Sequence, residues 1–338
     1  MPGLALPLSI LDLAYIGSGE TVADSFRSSV EMARNAERWG YHRIWYAEHH
    51  NMPSIASSAT SVLIAHVAAH TERIRLGSGG IMLPNHSPLT IAEQFGTLAE
   101  LHPGRIDLGL GRAPGTDQPT MRALRRDPSA ADSFPQDVLE LQGYLAGASR
   151  IPGVAAIPGA GTHVPLYVLG SSLFGAQLAA ALGLPYAFAS HFAPDALHDA
   201  IAVYRRDFRP SAQLAEPYVI AAVNVIAADT AAEAHRILEQ TERTRVERFL
   251  GRGRTFTDEE IDMLLEAPAG RQVLAMMRYT AVGTPDTVHD YLAAFAERTG
   301  ADELMIVSSA SERNAWMRSL ELVAEVAGLG DRPTVTAD

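Results

Sequence analysis

The sequence predicts an α/β fold, a single (β/α)8 TIM barrel spanning residues 1–338, with a helical insertion near 251–280. Three observations point there. Strand-like and helix-like segments alternate almost from end to end, which requires a parallel sheet covered on both faces. Eight such strands in 338 residues suit a closed barrel, and no shift of composition marks a linker. The first strand–helix turn reads YIGSGETVAD and lacks the G-x-G-x-x-G of an open dinucleotide-binding sheet.

Each element has a local reason. LSILDLAY (8–15) is a short apolar run, after which Val22, Phe26, Val30, Ala33 and Ala36 recur at helical spacing as far as Trp39. RIWYAE (43–48) reads as a strand, and SVLIAHVAAH lies in a helix over 57–71. RIRLGSGGIML (73–83) is a strand, and Pro88 stands where the helix TIAEQFGTLAEL (90–101) would start. RIDLGLG (105–111), a helix near 136–146, PLYVLG (165–170) and a helix over 173–182 continue the rhythm. YAFAS (186–190), a helix over 194–208 and YVIAAVNVIA (218–227) come next. Helices over 231–249 and 257–278 break the alternation, the second forming the insertion. A helix over 285–299, the strand ELMIVS (303–308) and a last helix over 314–327 complete the chain.

Composition removes several chemistries. No cysteine occurs, which excludes disulfide scaffolds, thiolate metal sites and a cysteine nucleophile. All 27 basic residues are arginine, so enzymes that need a lysine are excluded: Schiff-base aldolases, pyridoxal-phosphate enzymes and P-loop NTPases. A net charge of -12 without a basic run argues against a nucleic-acid partner. The opening MPGLALPLSILDLAYIGSGE contains Pro7 and Asp12 and has no basic lead-in, so it reads as a strand rather than a signal peptide. No apolar stretch is long enough to span a bilayer. The expectation is a soluble, acidic, cytoplasmic protein.

In such a barrel, functional groups gather at the C-terminal ends of the strands. Those positions hold Asp12 and Tyr15, then Glu48, His49 and His50, then Gly79 and Gly80 with Asn85 and His86 beyond. Arg112 follows the fourth strand, Gly170, Ser171 and Ser172 the fifth, and Ser190 and His191 the sixth. An acid beside two histidines resembles a metal-ligand set. Neighbouring residues on a strand point to opposite faces, however, and no H-x-H occurs, so no metal is expected. The favoured reading places one histidine at the mouth as an acid–base group and the other in a hydrogen bond; purely structural histidines are the alternative. Glycines at 77, 79 and 80 inside a strand signal either a β-bulge or clearance for a flat ring. Arg112 and the Gly170–Ser172 turn offer a phosphate site at a helix start, although Ser172 also suits a plain N-cap. His66 and His70 read as packing or surface residues, and the sequence assigns Asp107 and Glu140 no partner.

Taken in order, WYAEHHNMPSIASS, RIRLGSGGIMLPNHSPLTIAEQF, HPGRIDLGLGRAPGTD, PLYVLGSSLFGAQLAAALGLPYAFASHFAP and VGTPDTV resemble the bacterial luciferase-like monooxygenase family. The likeness is nearer to the single-chain members with G-R-A-P-G-[ST]-D and L-G-S-S-L blocks than to the light-emitting subunits. It implies a barrel that binds reduced FMN at its mouth, supplied by a separate NAD(P)H:flavin reductase, and acts as a homodimer. It further implies that FMNH2 and O2 form a C4a-hydroperoxyflavin, which oxygenates a small organic substrate. Within the resemblance His49 matches the proton-handling histidine, and Gly79 and Gly80 match a non-proline cis peptide under the flavin ring. Arg112 matches the arginine on the flavin phosphate, and Gly170, Ser171 and Ser172 the loop completing its cradle. Gly111 stands where the luciferase α subunit has a cysteine, which puts aldehyde-dependent light emission in doubt. The resemblance also admits an F420-dependent oxidoreductase and a non-catalytic flavin-binding protein, while Glu48–His49–His50 alone favours a metal hydrolase.

Overall fold

The computed structural model describes residues 3–113, 116–251, 254, 256–310 and 312–331. Its strands are β1 (Leu8–Asp12), β2 (Arg43–Tyr46), β3 (Arg75–Met82), β4 (Ile106–Gly111) and β5 (Leu166–Gly170), then β6 (Tyr186–Phe188), β7 (Val219–Ala227), β8 (Thr280–Gly283) and β9 (Glu303–Ser308). The strands β1 to β7 pair in chain order, and β9 pairs with both β7 and β1, so eight parallel strands close into a barrel. All eight strands expected from the sequence are members of that ring.

The ninth strand, β8, was not expected. Short β6 pairs only with Val219–Ala221 of β7, so the outer half of this nine-residue strand would expose a free edge. Thr280–Gly283 covers it, pairing with Asn224–Ala227 outside the ring.

The helices nearest the N-terminus are α1 (Val22–Trp39), α2 (Thr60–Ala68), α3 (Pro88–Leu101), α4 (Gln118–Ala123) and α5 (Phe134–Leu145). Next come α6 (Leu173–Leu182), α7 (Leu197–Asp207), α8 (Ala231–Gly251), α9 (Asp258–Glu266) and α10 (Pro268–Ala275). The last two are α11 (Pro285–Thr299) and α12 (Arg313–Val326). Local signals set their ends: α1 opens with a Thr21–Asp24 capping box and closes on left-handed Gly40. The insertion is two helices rather than one, because Ala267 before Pro268 takes an extended backbone (ψ 154) and interrupts the run.

Alternation along each strand divides the core in two. Leu8, Ile10, Ile44, Tyr46, Leu76, Leu108 and Val168 belong to the layer between barrel and helices. Trp45, Tyr167, Ile220 and Met305 fill the barrel interior. Below them, at the N-terminal ends of the strands, lies a buried charged layer. The Arg43 guanidinium donates to Asp107 (2.8 Å), Tyr167 Oη (2.6 Å) and Glu303 (3.1 Å). Arg75 and Trp45 Nε1 also bond Asp107, and Tyr218 Oη donates to Glu303. Burial alone would raise the Asp107 carboxyl, but Arg43 and Arg75 outweigh it and hold the pKa below its ordinary value. Above Trp45 the inward positions turn small, with Ala47, Gly79, Gly109 and Gly111, and the barrel opens.

Candidate active site

A cavity of about 520 Å³ lies at the C-terminal mouth, lined by His49, His50, Met52, Met82, Ala113 and Phe192 among others. That volume falls in the ordinary range for small-molecule sites. Its walls come from the loops that follow β2, β4 and β6 and from the end of β3.

Alternation along β2 and beyond separates the Glu48–His49–His50 triplet. Arg43 and Trp45 point inward, so His49 continues toward the barrel axis while Glu48 turns to the neighbouring strand. Glu48 is buried (1% exposed) and accepts from His50 Nε2 (2.9 Å), His86 Nε2 (2.8 Å) and the Met82 amide (3.1 Å). Desolvation pushes its carboxyl up, but the bonds from His50 and His86 prevail and hold its pKa below the usual value. Glu48 therefore ties the β2 and β3 loops together. Its ligand-capable atoms and those of His50 and His86 lie within 4.8 Å of one another, so this trio, and not the adjacent histidines, is the set with metal-ligand spacing.

His49 is held differently. Its backbone N–H donates to Ser57 O (3.1 Å), while its side-chain Nδ1 is buried without a hydrogen-bond partner among the described residues. Burial holds its pKa below 6.5, and the partial offset from Glu48 does not restore it. The ring is neutral at pH 7 and faces the cavity.

The Gly79–Gly80 peptide is cis, and the pairing of β3 with β4 shifts register between Ser78 and Ile81. A Cβ at Gly79 would lie 2.7 Å from Leu11 and 2.9 Å from Trp45, and one at Gly80 only 2.8 Å from the Gly109 carbonyl. Packing against the barrel's own residues already requires both glycines. The strand is irregular here, two residues before Met82 of the cavity wall.

Arg112 is exposed and stacks on Phe174, 4.2 Å from the ring centroid. Phe174 lies in the first turn of α6, directly after Ser171 and Ser172. Ser172 occupies the N-cap position with extended backbone (φ -145, ψ 166), yet its hydroxyl makes no capping bond. The contact brings Arg112 to the N-terminal turn of α6, and among the described residues no acid pairs with it. Gly170 ends β5 beneath this turn, where Ala189 N bonds its carbonyl.

Other strand-end residues are structural. Asp12 faces α1, accepting from Ser29 Oγ (2.6 Å) and the Ala14 amide (2.7 Å); burial outweighs these bonds and raises its pKa. Ser190 Oγ donates to the Ala222 carbonyl, and Asn85 and His86 join Glu48. His191 stands apart: its Nδ1 is buried and unpartnered, and burial, then Arg245 and His49, push its pKa down to about 3. Sequence reasoning missed Met52 and Phe192, which are 42% and 41% exposed apolar groups on the cavity wall, and Arg245 of α8. An apolar residue placed directly after strand-end histidines was the available signal for Phe192. Arg245 gave none, since ERTRVERF reads as an ordinary solvated helix face.

Comparison with known proteins agrees with this architecture. Residues 7–303 match the family model described as luciferase-like monooxygenase. A luciferase-like monooxygenase of Escherichia coli (strain K12) is 47% identical over 331 residues, covering 96% of this chain and 98% of that protein. An N-acetyl-S-alkylcysteine monooxygenase of Bacillus subtilis (strain 168) is 42% identical over 187 residues, 54% of this chain and 56% of that protein. The crystal structure of apo-MsnO8 superposes with a TM-score of 0.86 at 38% identity, covering 97% of this chain and 99% of the other. At lower identity the fold alone is shared. One such structure is a type II Baeyer-Villiger monooxygenase component from Pseudomonas putida in complex with FMN (21%, TM-score 0.71, 96% of this chain and 99% of the other). Another is an F420-dependent secondary alcohol dehydrogenase (14%, TM-score 0.68, 97% and 99%). With a matching barrel, a cavity at its mouth and close relatives along nearly its whole length, the chain belongs to the luciferase-like monooxygenase family.

Proposed function

We propose that this enzyme is the oxygenating component of a two-component flavin monooxygenase: it takes reduced FMN from a separate NAD(P)H:flavin reductase and uses O2 to oxygenate a small organic substrate. The observation that carries this reading is the uncommitted cationic rim. Arg112 stacks on Phe174 in the first turn of α6, next to Ser171 and to the Ser172 hydroxyl that makes no capping bond, and Ala113 beside Arg112 lines a cavity of about 520 Å³. Such a cradle fits a phosphate, while the cavity next to it fits a ring system.

Reduced FMN, when bound, supplies the electrons that activate O2, and one oxygen atom passes to the substrate while the other leaves as water. This chain's residues bind, shield and manage protons. Arg112 and the serines would hold the FMN phosphate, and Gly79 and Gly80 would leave room for its ring. Met52, Met82 and Phe192 keep water from the reacting edge. His49, neutral and free at Nδ1, takes or returns a proton beside the cavity, while the Glu48 bonds to His50 and His86 fix the loops around it. A homodimer in the cytoplasm is the assembly and location we infer for it. Among the described residues no helix is long and apolar enough to cross a membrane.

The F420-dependent neighbour makes hydride transfer on the same fold the second reading. Reconstitution separates the two. The protein is titrated with FMN and with F420, each complex is reduced, and oxygen uptake is followed with candidate substrates. FMN binding with substrate-dependent oxygen uptake is expected; F420 binding with oxygen-independent turnover would replace this reading by the second. FMN binding with no substrate-dependent uptake across a broad screen would favour a flavin-binding protein.

A further inference from the structure

The arginines of α8 fall into two groups. Arg236 pairs with Glu233 and Glu312, and Arg243 pairs with Asp258 and Asp262. Arg245 and Arg248 enter no ion pair among the described residues. The Arg245 Nε is buried and has no hydrogen-bond partner there, its guanidinium lying 5.4 Å from the Phe249 ring. One turn on, Arg248 sits 4.9 Å over the ring of Tyr15. Glu20, an acid near this rim, is committed to Arg313, which also donates to the Tyr15 carbonyl.

A half-buried guanidinium without a counter-ion is costly, and the cost shows in the environment. Burial, reinforced by Arg248, lowers the Arg245 pKa, and Arg245 in turn disfavours a charge on His191. The His191 ring packs edge-on against Phe192 at 4.9 Å, and Phe192 lines the cavity. Phe192 thus joins the cavity wall to His191, the ring that feels the charge of Arg245. Tyr15 follows β1, which stands four strands from β5 in the ring of eight, so Arg248 lies on the side of the mouth away from Ser171 and Ser172.

We propose that Arg245, assisted by Arg248, anchors an anionic group of the substrate, a carboxylate, at the rim opposite the cofactor-phosphate cradle. This rests on the reading of the mouth as a flavin and substrate site, and it adds a substrate class: small organic acids whose oxidisable part lies over the cavity while the carboxylate reaches α8.

The test is calorimetric titration of the FMN-loaded protein, at fixed ionic strength, with 3-phenylpropanoate, its methyl ester and phenyl phosphate. Wild type, Arg245→Met, Arg245→Lys and Arg248→Met are compared. Wild type is expected to bind the acid about tenfold or more tightly than the ester, a preference that Arg245→Met abolishes and Arg245→Lys partly keeps. Arg245→Met should unfold at a temperature no lower than wild type, because it removes an unpaired buried charge. Equal affinity of wild type for acid and ester, or a preference that survives Arg245→Met, overturns the proposal. Tighter binding of phenyl phosphate than of the acid overturns the carboxylate assignment. If Arg245→Met weakens FMN more than riboflavin, the anion is the cofactor's phosphate and the proposal also fails. Should Arg245→Met not fold, Arg248→Met and Arg245→Lys decide by the same acid-to-ester ratio. Failure of wild type to bind FMN would remove the flavin reading instead, and the same titrations on the unloaded protein would still decide whether a carboxylate is held.

Discussion

The two ends of the barrel use the same kinds of side chain to opposite effect. At the N-terminal end, Arg43, Asp107 and Glu303 are buried (4%, 0% and 0% exposed) and paired with one another, and Tyr167, Tyr218, Trp45 and Arg75 add hydrogen bonds to them. At the C-terminal end, among the described residues, Arg112 and Arg245 have no carboxylate partner, and His49 and His191 each bury an Nδ1 without a hydrogen bond. A charge that is paired within the chain specifies the fold. One left unpaired beside a cavity is available to a ligand. The difference teaches where to look for function in a barrel: at the polar groups the fold has not satisfied.

The largest expected effect lies at the closed end. Arg43→Ala would leave Asp107 and Glu303 buried without their central partner, so urea unfolding should show a loss of about 3–5 kcal/mol. A loss below about 1 kcal/mol would mean that the layer is not holding the barrel. The next effect lies at the mouth. His49→Ala should lower turnover of the reconstituted enzyme by about a hundredfold while FMN affinity stays within about twofold. Unchanged single-turnover kinetics would remove His49 from the chemistry.

Protonation supplies a subtler contrast. The folded-state pKa of His191 is about 3 against an ordinary 6.5, so the folded chain binds fewer protons than the unfolded one. The stability that the neutral ring contributes is fully present above pH 6.5 and is lost as pH falls toward 3. Wild type should therefore lose more stability than His191→Gln between pH 6.5 and 4, as read by chemical denaturation at each pH. Parallel curves for the two proteins would refute the burial of that ring. The smallest effect concerns Ser172. Because its hydroxyl caps nothing, Ser172→Ala should leave thermal stability unchanged and weaken FMN by about 0.5–1.5 kcal/mol. A loss of about 1 kcal/mol in stability with full FMN affinity would make it an ordinary N-cap.

Much of this was legible before the fold was known, and the gaps have physical causes. The eight barrel strands announce themselves because each is an apolar run bounded by turn residues. β8 does not, since TAVG is four residues long and owes its existence to an edge on β7 that only the assembled barrel creates. Strand alternation set His49 and His50 apart in the sequence, yet both line the cavity, because β2 ends at Tyr46 and the chain beyond it is no longer extended strand. His86 as the second partner of Glu48 could not be read from the sequence, because the contact crosses 38 residues. Asp107 lacked a partner in the sequence for the same reason: Arg43 and Trp45 lie more than 60 positions away, and only ring closure brings Glu303 to the same layer. Arg112, Ser171 and Ser172 could be placed at strand ends from the sequence, and it is there that we propose the anion site. Arg245 could not be singled out, because no local pattern tells an inward-facing helical arginine from a solvated one.

In the proposed function, Arg112 holds a cofactor phosphate at the open end. The most direct measurement is a binding cycle: FMN and riboflavin titrated against wild type and Arg112→Ala at fixed salt. The prediction is that wild type prefers FMN by about 1.5–3 kcal/mol and that the preference vanishes in Arg112→Ala with riboflavin affinity unchanged. Equal binding of FMN and riboflavin by wild type, or a preference for FMN that persists without Arg112, would contradict it.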